Sequence, residues 1–477
     1  MKHVLKGALS KISCIVAALV LALTMVPANA FATPTSTTDV ADSKVTITDL
    51  LDGDKVEAYR IADADIDGAN NLTYKMADNL PANYNTIEKL KAIASDGKNF
   101  TQGTAMQNAA SAIAKSFSDA NVASVATETA AAGKAELTLG SGYYLIRVTS
   151  TSGKTRVYQN MIVDVSPKAK ANGNGYDPAA AQSLAVKKTE VGITKGVGED
   201  YKPSTDKYSV GDKVPFQVKT AIPNYPADSK TATFEINDTP SAGLKIDTST
   251  IAVDGATASD YTLTASETGY KIAFKKDFVL AHPGQAITVT YKAELTKDAF
   301  FKSETDVTGN TATVKFNPNP YTDGTAEPDS KTKVYTFGYV FKKVGEGNAP
   351  LAGAEFSITN KETGKVVATA TSDAKGYVSF KGLGAGTYVV SETKVPAGYS
   401  KIADWEITIS KANATGDNPA TTETETNFLV ETAAKVDPKQ PALPVTGDAG
   451  TFGLTAAGTA LLAAGVFFVV RSRKQQA

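Results

Sequence analysis

The sequence predicts a mainly β protein of three β-sandwich domains in tandem, the first with a small helical insertion. A removable leader precedes them and a membrane-spanning helix follows. Three observations carry that prediction. Most of the chain alternates apolar and polar residues in short runs, as in "KVTITDLLDG", "KVPFQVKTAIPNYP" and "QAITVTYKAEL", broken by Gly, Pro, Asn and Asp; this is the pattern of half-buried antiparallel strands. Two Pro-, Gly- and Asn-rich stretches divide the 477 residues into three lengths of ordinary domain size. No short repeat runs through the chain, so a solenoid is excluded.

The leader comes first. Lys2, Lys6 and Lys11 form a basic region, Ile15 to Met25 an apolar core, and Ala28-Asn29-Ala30 a small-residue cleavage site, so residues 1–30 read as a secretory signal peptide. The single cysteine, Cys14, lies inside that leader. The exported chain therefore has no disulfide and no cysteine nucleophile or metal ligand. With His3 also removed, His282 is the one remaining histidine, which excludes a multi-histidine metal site and disfavours hydrolase triads. No paired-carboxylate constellation stands out for glycoside hydrolysis either. Of 49 Lys+Arg and 50 Asp+Glu, three cations leave at each end together with Asp448, leaving about 43 against 49. Such a mildly acidic surface, without a basic block, gives no footprint for nucleic acid.

The first domain is expected over 31–168. In "NTIEKLKAIAS", Ile87, Leu90 and Ile93 recur at helical spacing, as do Met106, Ala110, Ile113 and Phe117 in "TAMQNAASAIAKSF". "DADIDGANN" places Asp63, Asp65 and Asp67 at the spacing of a calcium loop. The twelfth position is Tyr74, so a strand-turn-strand with solvated aspartates is the reading, and no metal site is assigned. "SPKAKANGNGYDPAAAQ" (166–182) is read as a linker to a second domain over 184–320, and "NPNPYTDGTAEPDSKT" (317–332) as a linker to a third over 334–432. A last linker, "AAKVDPKQPA", leads to Leu443-Pro444-Val445-Thr446-Gly447 (443–447). Thr451 to Val470 (451–470) are long and apolar enough to span a bilayer, and the tail 471–477 carries Arg471, Arg473 and Lys474. Taken alone, span and basic tail describe a permanent membrane anchor.

The order of parts, Leu-Pro-x-Thr-Gly, apolar span, basic tail, resembles the cell-wall sorting signal of Gram-positive surface proteins. The resemblance implies that a sortase cleaves between Thr446 and Gly447, holding the Thr446 carbonyl as a thioester until an amine attacks it. In "YQNMIVDVSPKAK", Val163, Val165, Pro167 and Lys168 resemble the Val-x-Val-Tyr-Pro-Lys pilin motif, with Ser166 where the motif has Tyr and no Trp before it. This implies Lys168 as the accepting amine; Lys170 is the alternative.

Residues 184–320 resemble the fimbrial isopeptide-forming domain through "LAVKKTE", "TFEINDTPSAGLKI" and "GNTATVKFNPNP". The resemblance implies a bond between a lysine amine and an asparagine amide, assisted by a carboxyl acid. Burial would push the lysine down and the acid up, as that chemistry needs. Parity with Leu184 and Val186 favours Lys188 over Lys187. Asp238 matches the family's acid and Asn310 its asparagine. Closing a loop of about 120 residues would contribute on the order of 4–5 kcal/mol by analogy with disulfides.

Residues 334–432 resemble the collagen-adhesin B-type (CnaB-like) domain through "LAGAEF" and "ETKVPAGY". This implies Lys343 as the amine, sharing a face with Phe341, with Glu392 as acid and Asn427 as asparagine. In the first domain "LGSGYYLIRV" is similar to the closing strands of pilin N-terminal domains, but no acid box follows; Lys44 is left unassigned.

The whole pattern, Ig-like/CnaB-like sandwiches between an export signal and a sorting signal, resembles the backbone (major fimbrial) subunit of a sortase-assembled Gram-positive pilus. It implies a structural and not an enzymatic role, no cofactor, and head-to-tail joining of Thr446 to Lys168 of the next subunit. The implied partners are class C and housekeeping sortases, further copies of the chain and peptidoglycan, with minor pilins and host surface ligands as further candidates. The chain would be exported, held briefly in the membrane and then fixed to the wall or pilus. A monomeric wall-anchored adhesin and a minor base or tip pilin are the alternatives.

Overall fold

A computed structural model describes residues 40–93, 103–151 and 153–441. The leader, the 443–447 motif, the 451–470 span and the basic tail lie outside the described residues. Among the described residues no helix is long and apolar enough to cross a membrane. The protein is mainly β, as expected, with three β-sandwich units following one another along the chain.

In the first unit, Leu72–Met76, Lys55–Ile66, Gly142–Thr149 and Met161–Asp164 form an antiparallel sheet, with Ala126–Thr129 also on Lys55–Ile66. A second sheet contains Ser43–Thr48 and Lys134–Leu139. Val45, Ile47, Leu137, Tyr144, Ile146 and Val163 fill the space between the sheets. The helices Ile87–Lys91 and Ala105–Asp119 cover the other side of the first sheet, burying Leu90, Ala110, Ile113 and Phe117 against Tyr59, Ile61 and Leu145. Thr86 and Thr104 cap them, each accepting a hydrogen bond from the backbone N–H three residues on. Gly142–Thr149 is covered on both faces, so it reads as the nearly continuous apolar run "GYYLIRV" instead of alternating. The "DADIDGANN" segment is a hairpin turn in which Asp67 accepts from the N–H groups of Ala69 (2.9 Å) and Asn71 (2.8 Å).

The expected boundary near 168–184 shifts. Gln182–Ala185 lies parallel to Ser43–Thr48, and Lys188–Glu190 pairs antiparallel with Arg156–Tyr158. "LAVKKTE" therefore completes the first unit and does not open the second. The second unit begins with Ile193–Val197, which joins Lys213–Ala221, Ala286–Leu295 and Leu244–Asp254 in one antiparallel sheet. Facing it are Ser204–Thr205, Asp329–Val334, Thr308–Phe316, Phe234–Pro240, Gly269–Phe274 and Tyr261–Ser266. Val214, Phe216, Ile236, Ile272, Val289 and Val314 lie in the core between them.

The expected linker 317–332 is likewise structured. Asn317 and Asn319 each accept a backbone N–H two residues on, Tyr225 Oη donates to Asn317 O (2.7 Å), and Asp329–Val334 is the closing strand of the second unit. Local turn chemistry made it look like a linker, but its carbonyls and amides are committed to the sheet around it. Two residues, Tyr335 and Thr336, separate that strand from the first strand of the third unit, Phe337–Val344. Phe301 and Tyr335 pack into the third core, so the two units adjoin directly.

The third unit places Phe337–Val344 between Tyr377–Leu383 and a broken parallel closing strand, Phe428–Val430 then Lys435–Val436. The opposed sheet is Val366–Thr371, Glu355–Asn360, Gly386–Lys394 and Trp405–Ile409. This unit continues past the expected end at 432: Asp437 N donates to Val344 O (3.0 Å) and Gln440 N to Gly398 O (2.9 Å).

Candidate functional site: two buried amine clusters and an exposed lysine

The alternating run "ITKGV" between Gly192 and Gly198 sets Ile193, Lys195 and Val197 on one side of the strand. The lysine side chain is thereby carried into the interior of the second sandwich, where it is wholly inaccessible. It meets Asp238 and Tyr291 there. Lys195 Nζ donates to Asp238 Oδ2 and to Tyr291 Oη (2.6 Å); Tyr291 Oη donates to Asp238 Oδ2 (3.0 Å). Asn310 Nδ2 donates to Tyr291 Oη (2.8 Å). Lys195 and Tyr291 come from one sheet, Asp238 and Asn310 from adjacent strands of the other, so the cluster bridges the two layers. Gly196 is required beside the lysine because a Cβ there would stand 2.3 Å from Tyr201 O.

Burial governs the protonation of this cluster. It pushes the Lys195 amine down, against the pull of Asp238, and pushes the Asp238 carboxyl up, against the pull of Lys195. Both shifts favour a neutral amine beside a neutral acid, the forms in which a lysine can attack an amide. Asp238 Oδ1 and Asn310 Oδ1 are buried without a hydrogen-bond partner, as befits groups arranged for reaction more than for mutual satisfaction.

Lys188, the expected amine, is elsewhere. It lies on the first unit, forms an ion pair with Asp49, and its strand neighbour is Tyr158. Lys187 is in the same segment, its carbonyl accepting from Gln159 N (2.8 Å). Leu184 lies on Gln182–Ala185 and Lys188 on a separate strand of another sheet, so parity does not carry from one to the other, and both strands belong to the first unit. The same alternation in "ITKGV", which begins nine residues after Leu184, could have identified Lys195.

In the third unit Phe337, Tyr339, Phe341 and Lys343 share the inward side of the first strand, and the Lys343 side chain is wholly inaccessible. Its Nζ donates to Asp437 Oδ1 and stands 3.7 Å from Glu392 Oε1. Asp437 follows directly on Lys435–Val436, which runs parallel to Lys343–Val344; Glu392 projects from the facing sheet. Burial raises the Glu392 carboxyl, opposed by Lys343 and reinforced by the neighbouring Asp437. A backbone turn closes over the lysine: Gly376, at φ +83°, accepts from Lys343 N (2.6 Å), and a Cβ there would lie 2.3 Å from Lys343 O.

Asn427, the expected partner, is not in this cluster. It sits at the opposite end of the strand pair, beside Gly338, and its side chain donates to Phe301 O and Lys302 O (3.0 Å each) at the junction with the second unit. The break at 431–434 hid the resumption of the closing strand, so the position that faces Lys343 fell inside what read as a linker. It is occupied by an aspartate, not an asparagine.

Lys168 is exposed, on a two-residue strand, Lys168–Ala169, paired with Tyr176–Asp177 just beyond Met161–Asp164. Its Nζ is 3.3 Å from Asp164 Oδ2, a contact with a mostly exposed amine that leaves it open to a partner. Lys170 is also exposed, 3.9 Å from Asp177. Lys44 is exposed and pairs with Glu136 (2.6 Å). Among the described residues of the first unit no lysine is fully buried. No group of side chains with metal-binding arrangement occurs among the described residues.

Comparison with known proteins adds the following. Residues 338–424 match the model of the SpaA prealbumin-like fold domain, and residues 435–476 that of the LPXTG cell wall anchor motif. The trypsin-resistant surface T6 protein of Streptococcus pyogenes serotype M6 is 24% identical over 324 residues, 60% of this chain and 59% of that protein. The chain thus spans about six-tenths of the length of that relative. The fimbrial subunit type 2 of Actinomyces naeslundii is 26% identical over 392 residues, 70% of each chain. Among solved structures, the T6 backbone pilin of serotype M6 S. pyogenes, described as modular and three-domain, superposes with a TM-score of 0.61 at 17% identity, over 85% of this chain and all of that one. The major pilin SpaD of Corynebacterium diphtheriae gives 0.52 at 16%, over 84% and 98%. At these identities the structures establish a shared fold.

Proposed function

We propose that the chain is the structural backbone subunit of a covalently polymerised pilus on a Gram-positive cell surface. A sortase cleaves the Thr446–Gly447 amide and holds the Thr446 carbonyl as a thioester; Lys168 of the next subunit attacks it, forming an amide and releasing the enzyme thiol. The observation that carries this reading is the pairing of donor and acceptor in one polypeptide: an LPXTG anchor motif at one end and an exposed lysine at the edge of the first unit. Class C and housekeeping sortases, peptidoglycan, minor pilins and host ligands are the implied partners.

Within each subunit two amides form autocatalytically. In the second unit Lys195 attacks Asn310 with Asp238 as the acid, releasing ammonia. In the third, Lys343 attacks Asp437 and water leaves, with Glu392 supplying the proton. The third-unit bond ties the opening strand to the closing one, and the second-unit bond ties the opening strand to Thr308–Phe316, the neighbour of the closing strand, so tension along the fibre passes through covalent links and bypasses most of each fold. Apart from this single turnover upon itself the chain is no enzyme.

Immunoblots of wall extracts test the polymer. Lys168→Ala should abolish the high-mass ladder. A ladder that survives in both Lys168→Ala and Lys170→Ala overturns joining through this segment, and a single wall-linked species in the unaltered protein points to a monomeric adhesin.

A further inference from the structure

The second-unit cluster contains a fourth group that the cross-linking scheme leaves without a role. Tyr291 Oη stands 2.6 Å from Lys195 Nζ, 2.8 Å from Asn310 Nδ2 and 3.0 Å from Asp238 Oδ2. It therefore touches the attacking nitrogen, the leaving nitrogen and the acid at once. Its ring is fixed by stacking on Phe216 (5.3 Å) and by an edge contact with Tyr270 (5.3 Å), so the hydroxyl has a set position.

The reaction needs such a carrier. When Lys195 Nζ bonds to the Asn310 side-chain carbon, that nitrogen must lose a proton, and Asn310 Nδ2 must gain one before it can leave as ammonia. The interior is closed to water: Lys195 and Asp238 side chains are inaccessible, and Tyr291 and Asn310 are each 2% exposed. The leaving nitrogen already points its hydrogen bond at the phenol.

We propose that Tyr291 is a catalytic residue of this cross-linking reaction, its hydroxyl passing a proton from the attacking nitrogen of Lys195 to the leaving nitrogen of Asn310. One C–N bond forms and one breaks, a single proton moves between the two nitrogens, and Tyr291 and Asp238 end with the protons they began with. Burial holds the phenol well above its ordinary value, so Tyr291 acts by exchanging protons and not by standing ionised. The third unit supports the division of labour. Its leaving group is the oxygen of Asp437, and the contacts of Lys343 there are two carboxyls and the Phe356 ring. The inference rests on reading the Lys195 cluster as a cross-linking site.

Peptide mapping of the full chain by mass spectrometry, sampled at intervals after synthesis, tests it. The unaltered protein should yield a Lys195–Asn310 linked peptide lighter by about 17 Da than the sum of its parts. Tyr291→Phe keeps the ring and removes the hydroxyl; the linked peptide should then appear about 10²-fold more slowly or worse. The Lys343–Asp437 peptide of the same molecules should form at its usual rate, which reports that the third unit has folded, and an unchanged calorimetric transition of the unlinked second unit relative to Lys195→Ala reports the same for the second. Replacing Tyr291 by a ring-fluorinated tyrosine makes the hydroxyl more acidic with little change of shape, and should shift the rate and its pH profile. A Tyr291→Phe chain that links as fast as the unaltered one overturns the proposal, as does a fluorotyrosine chain with unchanged rate and profile. Absence of the linked peptide in the unaltered protein would instead sink the cross-linking assignment itself.

Discussion

The second and third units each bury a lysine with the groups proposed to act as its acid and its acyl partner, yet distribute them differently. In the second, Lys195 comes from one sheet while Asp238 and Asn310 come from the other. In the third, Lys343 and Asp437 sit on adjacent parallel strands of one sheet and the acid, Glu392, faces them. The acyl partner differs too, an amide against a carboxylic acid. Placement of the lysine at an inward position of the opening strand is what the two share. That carries the amine into a dry interior beside its proposed partner; the partner sets the leaving group, ammonia or water, and the nearby proton carrier lets it depart.

The first unit gives a sharper contrast. It has two cores and a helical layer but no fully buried lysine among its described residues. It also precedes Lys168, so in a polymer joined there residues 40–167 stand off the line of tension. Gln182–Ala185 and Lys188–Glu190 are the exception, since they lie between Lys168 and Lys195 while being paired into the first unit.

The largest expected effect comes from removing either amine. Lys195→Ala or Lys343→Ala should abolish its own linked peptide, leave the other intact, and cost about 4–5 kcal/mol by loop-closure analogy. In scanning calorimetry that amounts to a fall of about 10–20 °C in the affected transition. If Lys188→Ala abolishes the Asn310 link and Lys195→Ala spares it, the assignment of the amine is wrong. Next, Glu392→Gln should slow the third-unit bond by about 10²–10⁴-fold, seen as accumulation of unlinked Asp437 peptide. An undiminished rate would mean that the carboxyl facing Lys343 is not its proton source.

Asn310→Asp tests whether the two sites are interchangeable in chemistry. The linked product is the same molecule as in the unaltered protein, so its mass should be identical, with water and not ammonia released. Failure to link would show that the second site depends on an amide. The smallest effect concerns the junction of these two units, where Glu304 accepts from Lys411 and Lys333. These contacts, Lys411 first, hold the Glu304 carboxyl down at about 2 from 4.5. A depressed carboxyl stabilises the fold fully above its ordinary value, and that contribution is lost as pH falls toward about 2. Because the pair is exposed, Glu304→Gln should shift the melting temperature slightly above pH 5 and not at all near pH 2.

Much of the architecture was legible in the chain. Period-two alternation announced the strands, and helical spacing at Ala110, Ile113 and Phe117 announced the layer that covers the first sheet. Lys343 was legible because three aromatic residues precede it at alternate positions on an uninterrupted strand. Lys188 misled because alternation reports which side of a strand a residue occupies without saying which sheet the strand joins. Asp437 was missed because a four-residue break separates it from the recognisable part of its strand, and Pro438 beside it suggests a linker.

The sequence by itself determined the class of fold, the order of its parts and the kinds of groups available: no cysteine beyond Cys14, no histidine besides His3 and His282, and many lysines among alternating apolar residues. Those properties depend on composition and short-range periodicity, which neighbouring residues carry. The tertiary structure alone decided that 182–190 belongs to the first unit, that 329–334 closes the second, that Lys195 and Asn310 meet through Tyr291, and that Asp437 meets Lys343. Strand partnership is settled by contacts between residues about a hundred positions apart, through burial and backbone hydrogen bonds that local pattern does not encode.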